Sequence, residues 1–301
     1  MVLGAYGQEF PTKPVRLTTA AAGGGVDFAT RLIAQGIAGP LGQPVVVDNR
    51  ANGTLASDVV AKAAPDGHTL LVLGSALWLT PLLQTTTYDT FADFTPVTLT
   101  ASAPNLLVLH PSVPVKTVTA FIALARSRPG ALNYATNTTG SASHLAAELF
   151  KSMAGVNILR VPYKGAAAAQ NDLMAGEVQV MFSTITAAGP HVKTGRLKAL
   201  AVTSAQRSAL APDLPAVAAS LPGYESSAMY AMFAPARTPA AIVNRLHQET
   251  VRVLSRPDVK EKFLAMGAEV VGSSPEQLMT TVRSETSRLG KVIKDAGIRG
   301  D

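Results

Sequence analysis

The sequence predicts an α/β fold, on three observations. Short apolar runs alternate with helical patterns along most of the chain, the grammar of strands packed beneath helices. Strands run into helices through junctions of small and hydroxyl-bearing residues. Two uncharged, turn-rich stretches, 101–105 (ASAPN) and 221–224 (LPGY), bracket a middle segment with its own strand–helix alternation. That bracketing points to a middle lobe inserted into a lobe built from both chain ends; a single continuous sheet is the alternative. With 301 residues, 47% of them apolar, the chain can build a substantial core, which excludes global disorder.

Taken in order, residues 15–18, 44–48 and 69–73 read as strands. Between the first two, Ala29, Leu32, Ile33, Gly36 and Ile37 recur with the spacing of one helical face, and Gly39-Pro40 is expected to stop that helix. Further strands are expected at 106–109, 132–136, 158–161, 178–182 and 197–202. A central helix is marked by Ala142, Leu145, Ala146, Leu149, Phe150 and Met153, with Ser141 as N-cap and Gly155 as C-terminal stop. Two long helices, 240–254 and 275–296, close the chain. Thr238-Pro239 reads as a cap followed by proline at the first helical position, and Ser274-Pro275-Glu276-Gln277 as a capping box.

Composition removes several function classes. The 26 Lys and Arg outnumber the 20 Asp and Glu, a net charge of +6, but the signs are interleaved even in the last 65 residues. A phosphate-tracking surface needs clustered cations, so nucleic acid is not the expected partner, while anionic small ligands are allowed. There is no cysteine, which excludes disulfides, thiolate zinc sites, iron–sulfur clusters and cysteine nucleophiles. His68, His110, His144, His191 and His247 have no metal-ligand spacing, and no P-loop lysine, HExxH or GxSxG pattern occurs, so neither metal nor cofactor is expected. No breaker-free apolar run of about 20 residues is present. The start, MVLGAYGQEF, lacks the basic and apolar regions of a signal peptide.

Two strand-to-helix junctions are alike. The first runs from strand 15–18 through Thr19, Ala20, Ala21, Ala22, Gly23, Gly24 and Gly25 into a helix near Val26-Asp27. The second runs from strand 132–136 through Asn137-Thr138-Thr139-Gly140 into a helix at Ser141. Free N–H groups at a helix start make an anion site, and small residues let a ligand approach the main chain. Each hydrogen bond to a charged group contributes about 1.5–3 kcal/mol, so three or four can support roughly micromolar binding, near −8 kcal/mol. The plain alternative is that the glycines only make tight turns.

A dinucleotide fingerprint fails at the first junction, because Phe28 stands where the third glycine would have to be. Asp27 reads as a cap that compensates the helix dipole and points away from a bound anion. Ser141 and Ser143 beside His144 raise the rival of a bilobal hydrolase, but no acid is placed to orient the imidazole. Gly74-Ser75 and Ser183-Thr184 end strands, where α/β ligand clefts form, and Tyr163-Lys164-Gly165 is a cleft element or a turn. Trp78, the single tryptophan, is read as packing.

Several stretches together carry a resemblance: LGQPVVVDNRANG (41–53), AKAAPDGHTLLVLGS (61–75), LNYATNTTGSASHLAAELFKSMAGV (132–156), VPYKGAAAAQNDLMAGEVQVMF (161–182), LKALAVTSAQRS (197–208) and KVIKDAGI (291–298). The chain resembles the Bug-type receptors, the periplasmic substrate-binding subunits of tripartite tricarboxylate transporters, over nearly its whole length. The resemblance implies a two-lobe periplasmic-binding-protein-like fold (Venus flytrap, type II) with mixed sheets flanked by helices. One lobe would comprise 1–103 plus 224–301 and the inserted lobe 104–223. It further implies a monomeric, non-catalytic periplasmic protein that captures a small carboxylic acid between the lobes and delivers it to membrane permease subunits.

Carried over, the first loop contributes main-chain amides at Ala20, Ala21, Ala22, Gly23 and Gly24. The second lobe contributes Thr136, Asn137, Gly140, Ser141 and Ser183, with Ser75 and Tyr163 as further candidates. The chain departs from the family pattern in three places. The first loop has no proline, Val26 precedes Asp27 where a hydroxyl residue is usual, and Ser183 replaces a common aspartate. Loss of that acid removes a partner for a ligand amine, so the expected ligand is an aliphatic or aromatic acid without an amino group, or a dicarboxylate.

Overall fold

A computed structural model describes residues 10–23, 25–136, 141–163 and 166–299. The amino-terminal side is built from parallel strand–helix units. Strand β1 (Val15–Thr19) leads to helix α1 (Gly25–Leu41), β2 (Val45–Asn49) to α2 (Gly53–Ala61), and β3 (Thr69–Gly74) to α3 (Ala76–Leu83). A long strand, β4 (Phe94–Leu109), follows. Next come α4 (Val118–Ser127), β5 (Asn133–Thr136), α5 (Ala142–Ala154), β6 (Leu159–Pro162), α6 (Ala166–Ala175), β7 (Val180–Thr184), α7 (Ile185–Lys193) and β8 (Lys198–Val202). The chain ends in β9 (Ser227–Pro235), α8 (Ala240–Leu254), α9 (Pro257–Ala265), β10 (Glu269–Val270) and α10 (Pro275–Asp295).

The strands lie in the order β2-β1-β3-β9-β4-β7-β5-β6, with β8 and β10 also paired to β4. Pairing is parallel within β2-β1-β3 and β7-β5-β6 and antiparallel wherever β4 or β9 takes part, the mixed architecture expected from the sequence. The strand β4 belongs to both halves. From Phe94 to Pro104 it pairs with β9, and from Asn105 to Leu109 with β7 and β8.

The buried residues form three clusters. One fills the space between the first half-sheet and α1 and α8, around Ile33, Val72 and Phe263. A second lies under α6 and α7. The largest runs from α3 through α10 to α4 and α5, so Trp78, Phe150, Phe182 and Leu289 share one continuous apolar body. Helix α10 is the element that ties the halves together on this side.

Local chemistry accounts for the element ends. Ser141 accepts the His144 amide, and Gly155 closes α5 at φ 61°, a conformation that favours glycine. The Ser274–Gln277 capping box is complete at the start of α10. Four expectations change. Residues 101–105 are not a turn-rich hinge but the middle of β4, where the two prolines, 96 and 104, fall at register shifts or at the last β9 pair, positions that need no ladder N–H. The strand β9 was not anticipated; its Ala and Met residues give no β signal, and burial from both faces removes the alternation. Helix α1 continues through Gly39-Pro40 to Leu41, since a proline in the last turn removes only one hydrogen bond. Thr238 does not cap α8; its hydroxyl donates to the Pro235 carbonyl, and Pro239 takes the N-cap position.

Candidate functional site

At the first junction Ala21, Ala22 and Gly23 are exposed, and Ala20 is half-buried with its carbonyl accepting from Asn49 Nδ2 at 2.9 Å. Gly23 has φ 88°, which a side chain would strain. Asp27 does not point away from this loop. It is buried, and its Oδ2 accepts the Gly23 amide at 2.9 Å and Arg31 Nε at 3.2 Å, while Oδ1 accepts Asn49 Nδ2 at 2.8 Å. Burial alone would raise the Asp27 carboxyl, but the Gly23 amide, Asn49 and Arg31 outweigh it and hold it below the usual range. A carboxylate in the first turn thus staples the loop that precedes its own helix, and the Gly23 N–H is already used. Gly24 lies outside the described residues.

At the second junction Thr136 is fully buried at the end of β5. Asn137 and Gly140 lie outside the described residues. Ser141 Oγ stands 3.1 Å from Ser143 Oγ and accepts the His144 backbone N–H at 3.3 Å. The His144 ring is buried, and burial together with the nearby Arg160 charge pushes its imidazole down to about 4, against the opposing pull of Glu148. Ser183 is buried near the end of β7. The Tyr163 hydroxyl donates to Asp172 Oδ2 at 2.8 Å, so it is turned into its own half; burial and the Asp172 carboxylate push it up to about 12.

Between the halves lies a cavity of about 200 Å³ that brings two of the sequence candidates together. Ser75, at the start of α3, lines it from one side, and Ser141, at the start of α5, from the other. Ser226, Ser227 and Tyr230 form the strand wall, Leu79, Leu83, Leu145 and Leu289 the apolar wall, and Glu285 of α10 contributes a carboxyl. Tyr230 links the cavity to the first junction: a Cβ on Gly25 would stand only 2.5 Å from its hydroxyl oxygen. Of the lining residues, Ser227 has a buried hydroxyl with no hydrogen-bond partner among the described residues. A buried polar atom of this kind costs about 1–3 kcal/mol unless a ligand or water completes it. Among the described residues no group of His, Asp and Glu is placed to hold a metal ion.

The family model for the tripartite tricarboxylate transporter family receptor matches residues 29–298. The chain belongs to that family. It is 33% identical over 297 residues to Protein BugT of Bordetella pertussis, covering 96% of this chain and 91% of that one, in accord with the Bug-type resemblance. Among solved structures, an R. palustris protein with adipate is 38% identical, covers 97% of this chain and all of that one, and superposes with a TM-score of 0.76. MatC from Rhodopseudomonas palustris with bound malate is 34% identical, covers 94% of this chain and all of that one, at a TM-score of 0.70. The fold is therefore that of the two-lobe solute-binding receptors.

Sequence reasoning missed Tyr230, Ser226, Ser227 and Glu285. The serines and Tyr230 sit on the unanticipated strand β9 or just before it. Glu285 did leave a signal: Leu278, Val282, Leu289, Val292 and Ile293 form the buried stripe of α10, and an acid stands at a stripe position between them.

Proposed function

We propose that this chain is a periplasmic receptor that closes on a small dicarboxylic acid and presents it to the permease of a tripartite tricarboxylate transporter. Residues 1–103 with 224–301 form one lobe and 104–223 the other. The observation that carries this reading is that Ser75 and Ser141, from opposite halves, line one cavity together with the unpaired Ser227 hydroxyl. The carboxylate end of the ligand sits at the first loop, on the amides of residues 20–24 other than the occupied Gly23 N–H, with Thr136, Asn137, Gly140, Ser141 and Ser183 approaching from the second lobe. Similarity to receptors solved with adipate and with malate favours dicarboxylates. Ser183, in place of an acid, leaves no partner there for a ligand amine. Tyr163 plays no direct part, since its hydroxyl is engaged by Asp172.

The protein acts as a monomer and without chemistry. A hydrolase would need His144 as a base, yet an imidazole pushed down to about 4 is a weak one at neutral pH. Among the described residues no helix is long and apolar enough to cross a membrane. Closure follows from ligand contacts made only when both lobes face the same anion. Titration calorimetry against dicarboxylic, aromatic and amino acids tests the reading: binding of dicarboxylates is expected, and tight binding of amino acids alone would overturn it.

A further inference from the structure

One acid, Glu285 of α10, stands among the residues that line the inter-lobe cavity. Glu285 is 3% exposed. Its Oε2 accepts Trp78 Nε1 at 2.5 Å, and among the described residues no hydrogen bond engages Oε1. Leu79, Leu83, Leu145 and Leu289, which solvate no charge, make the apolar wall of the same cavity, opposite the hydroxyls of the strand wall. A second cavity, of about 240 Å³, lies on the other side of Glu285 and Met229 and carries the Arg288–Glu225 pair, 3.7 Å apart.

We propose that the far carboxyl of a linear dicarboxylic acid enters this cavity and shares one proton with Glu285, which makes Glu285 the residue that selects a second carboxyl. The inference rests on the carboxylate-receptor reading above. One end of the acid is held between the first loop and Ser141, its methylenes pass Tyr230 along the leucine wall, and its other end meets Oε1. Two carboxylates in contact cannot both stay ionised in an apolar site, so the pair keeps one proton, and the O–H of one donates to the ionised other. That proton comes from solvent. Among the described residues the charges acting on Glu285 are Arg288 on its own helix and Glu225 before β9, and from α3 it meets the uncharged Trp78; Tyr230 of β9 lines the same cavity, and from the start of α5 only Ser141, Ala142 and Leu145 do, none of them charged. Burial raises its carboxyl to about 7, Trp78 and Arg288 oppose that shift, and Glu225 adds to it, so the free receptor is already close to carrying the proton. An acid with an apolar far end cannot form the shared-proton bond, and an ionised far end without Glu285's proton would be repelled.

The test is titration calorimetry of succinate, glutarate, adipate and pimelate into the wild type and Glu285→Gln, at about pH 6 and about pH 8, in buffers of different ionisation heat. With Glu285 near 7, the wild type should take up most of one proton per ligand at the higher pH, and its affinity should fall about tenfold between the two. Glu285→Gln, which keeps an acceptor for Trp78, should bind with no proton uptake and no such pH dependence. Dicarboxylates that bind the wild type without proton uptake, or a Glu285→Gln protein that retains it, would overturn the proposal while leaving the carboxylate reading intact. An ω-amino acid bound tightly by the wild type and lost in the variant would overturn it in favour of a charge pair. If none of the four acids binds the wild type, the carboxylate reading itself fails.

Discussion

Asp27 and Gly23 are joined by a 2.9 Å hydrogen bond from the Gly23 amide to the Asp27 carboxylate, which folds the first loop back onto the helix it precedes. The carboxylate also lies at the positive end of α1, so loop shape and helix start are set by one group. Replacing Asp27 by Ala removes the bonds to Gly23, Asn49 and Arg31 together. The expected result is a loss of about 1–3 kcal/mol of stability, read as a lower denaturant midpoint at unchanged slope, and a larger loss of ligand affinity. Because the folded carboxyl is held below its ordinary value, its contribution is present at neutral pH, above the unfolded-state pKa, and is lost as pH falls through the folded one.

Glu285 gives the opposite slope. Its folded carboxyl is raised from 4.5 to about 7, so the folded protein binds more protons than the unfolded chain between those values. Its contribution is fully present below the unfolded pKa and fades as pH rises through about 7, a change of about 3 kcal/mol across the window. Melting temperatures of the ligand-free protein from acid to slightly alkaline pH should show this decline, and Glu285→Gln should flatten it.

Ser141 serves two roles, so Ser141→Ala should show two losses. The cap on the His144 amide is worth about 1 kcal/mol of stability. The hydroxyl facing the cavity adds a separate loss in affinity of about tenfold, near the net value of one hydrogen bond to a charged group. Ser141→Thr, which retains an oxygen acceptor for the cap, should recover most of the melting temperature, and calorimetry on the same protein separates the two effects.

Gly25 and Tyr230 should be coupled. A Cβ at position 25 would stand 2.5 Å from the Tyr230 hydroxyl oxygen and 3.2 Å from the ring carbon that bears it. Gly25→Ala is expected to destabilise by about 1–3 kcal/mol through overpacking. Adding Tyr230→Phe should return part of that loss, and a double-mutant cycle with an interaction below about 0.5 kcal/mol would show that the two do not meet.

The parts of the fold that could be read from the sequence are those where periodicity and punctuation agree. Strand β1, helix α5 with Ser141 and Gly155, and the Ser274 capping box are all local statements, made within a few residues of chain. Strand β9 and the first two-thirds of β4 were hidden because their pairing partners lie more than a hundred residues away. Two prolines in β4 also imitate a loop. The same division holds at the site. Ser75 and Ser141 follow strand ends and could be found from that rule, whereas Tyr230 and Glu285 reach the cavity only through the packing of β9 and α10. Asp27 was visible as a helix-start acid, but which way its carboxylate turns depends on Asn49, from the next strand over.

The single strand β4 carries a mechanical consequence. Any rotation of one half against the other must be taken up as torsion in the short stretch of β4 near residues 103–105 and in the matching stretch that enters β9. Pro104 sits in the first of these with its φ fixed by the ring, which leaves mostly ψ free to turn. The joint in β4 therefore has one torsion fewer to turn about than an ordinary strand residue would give it.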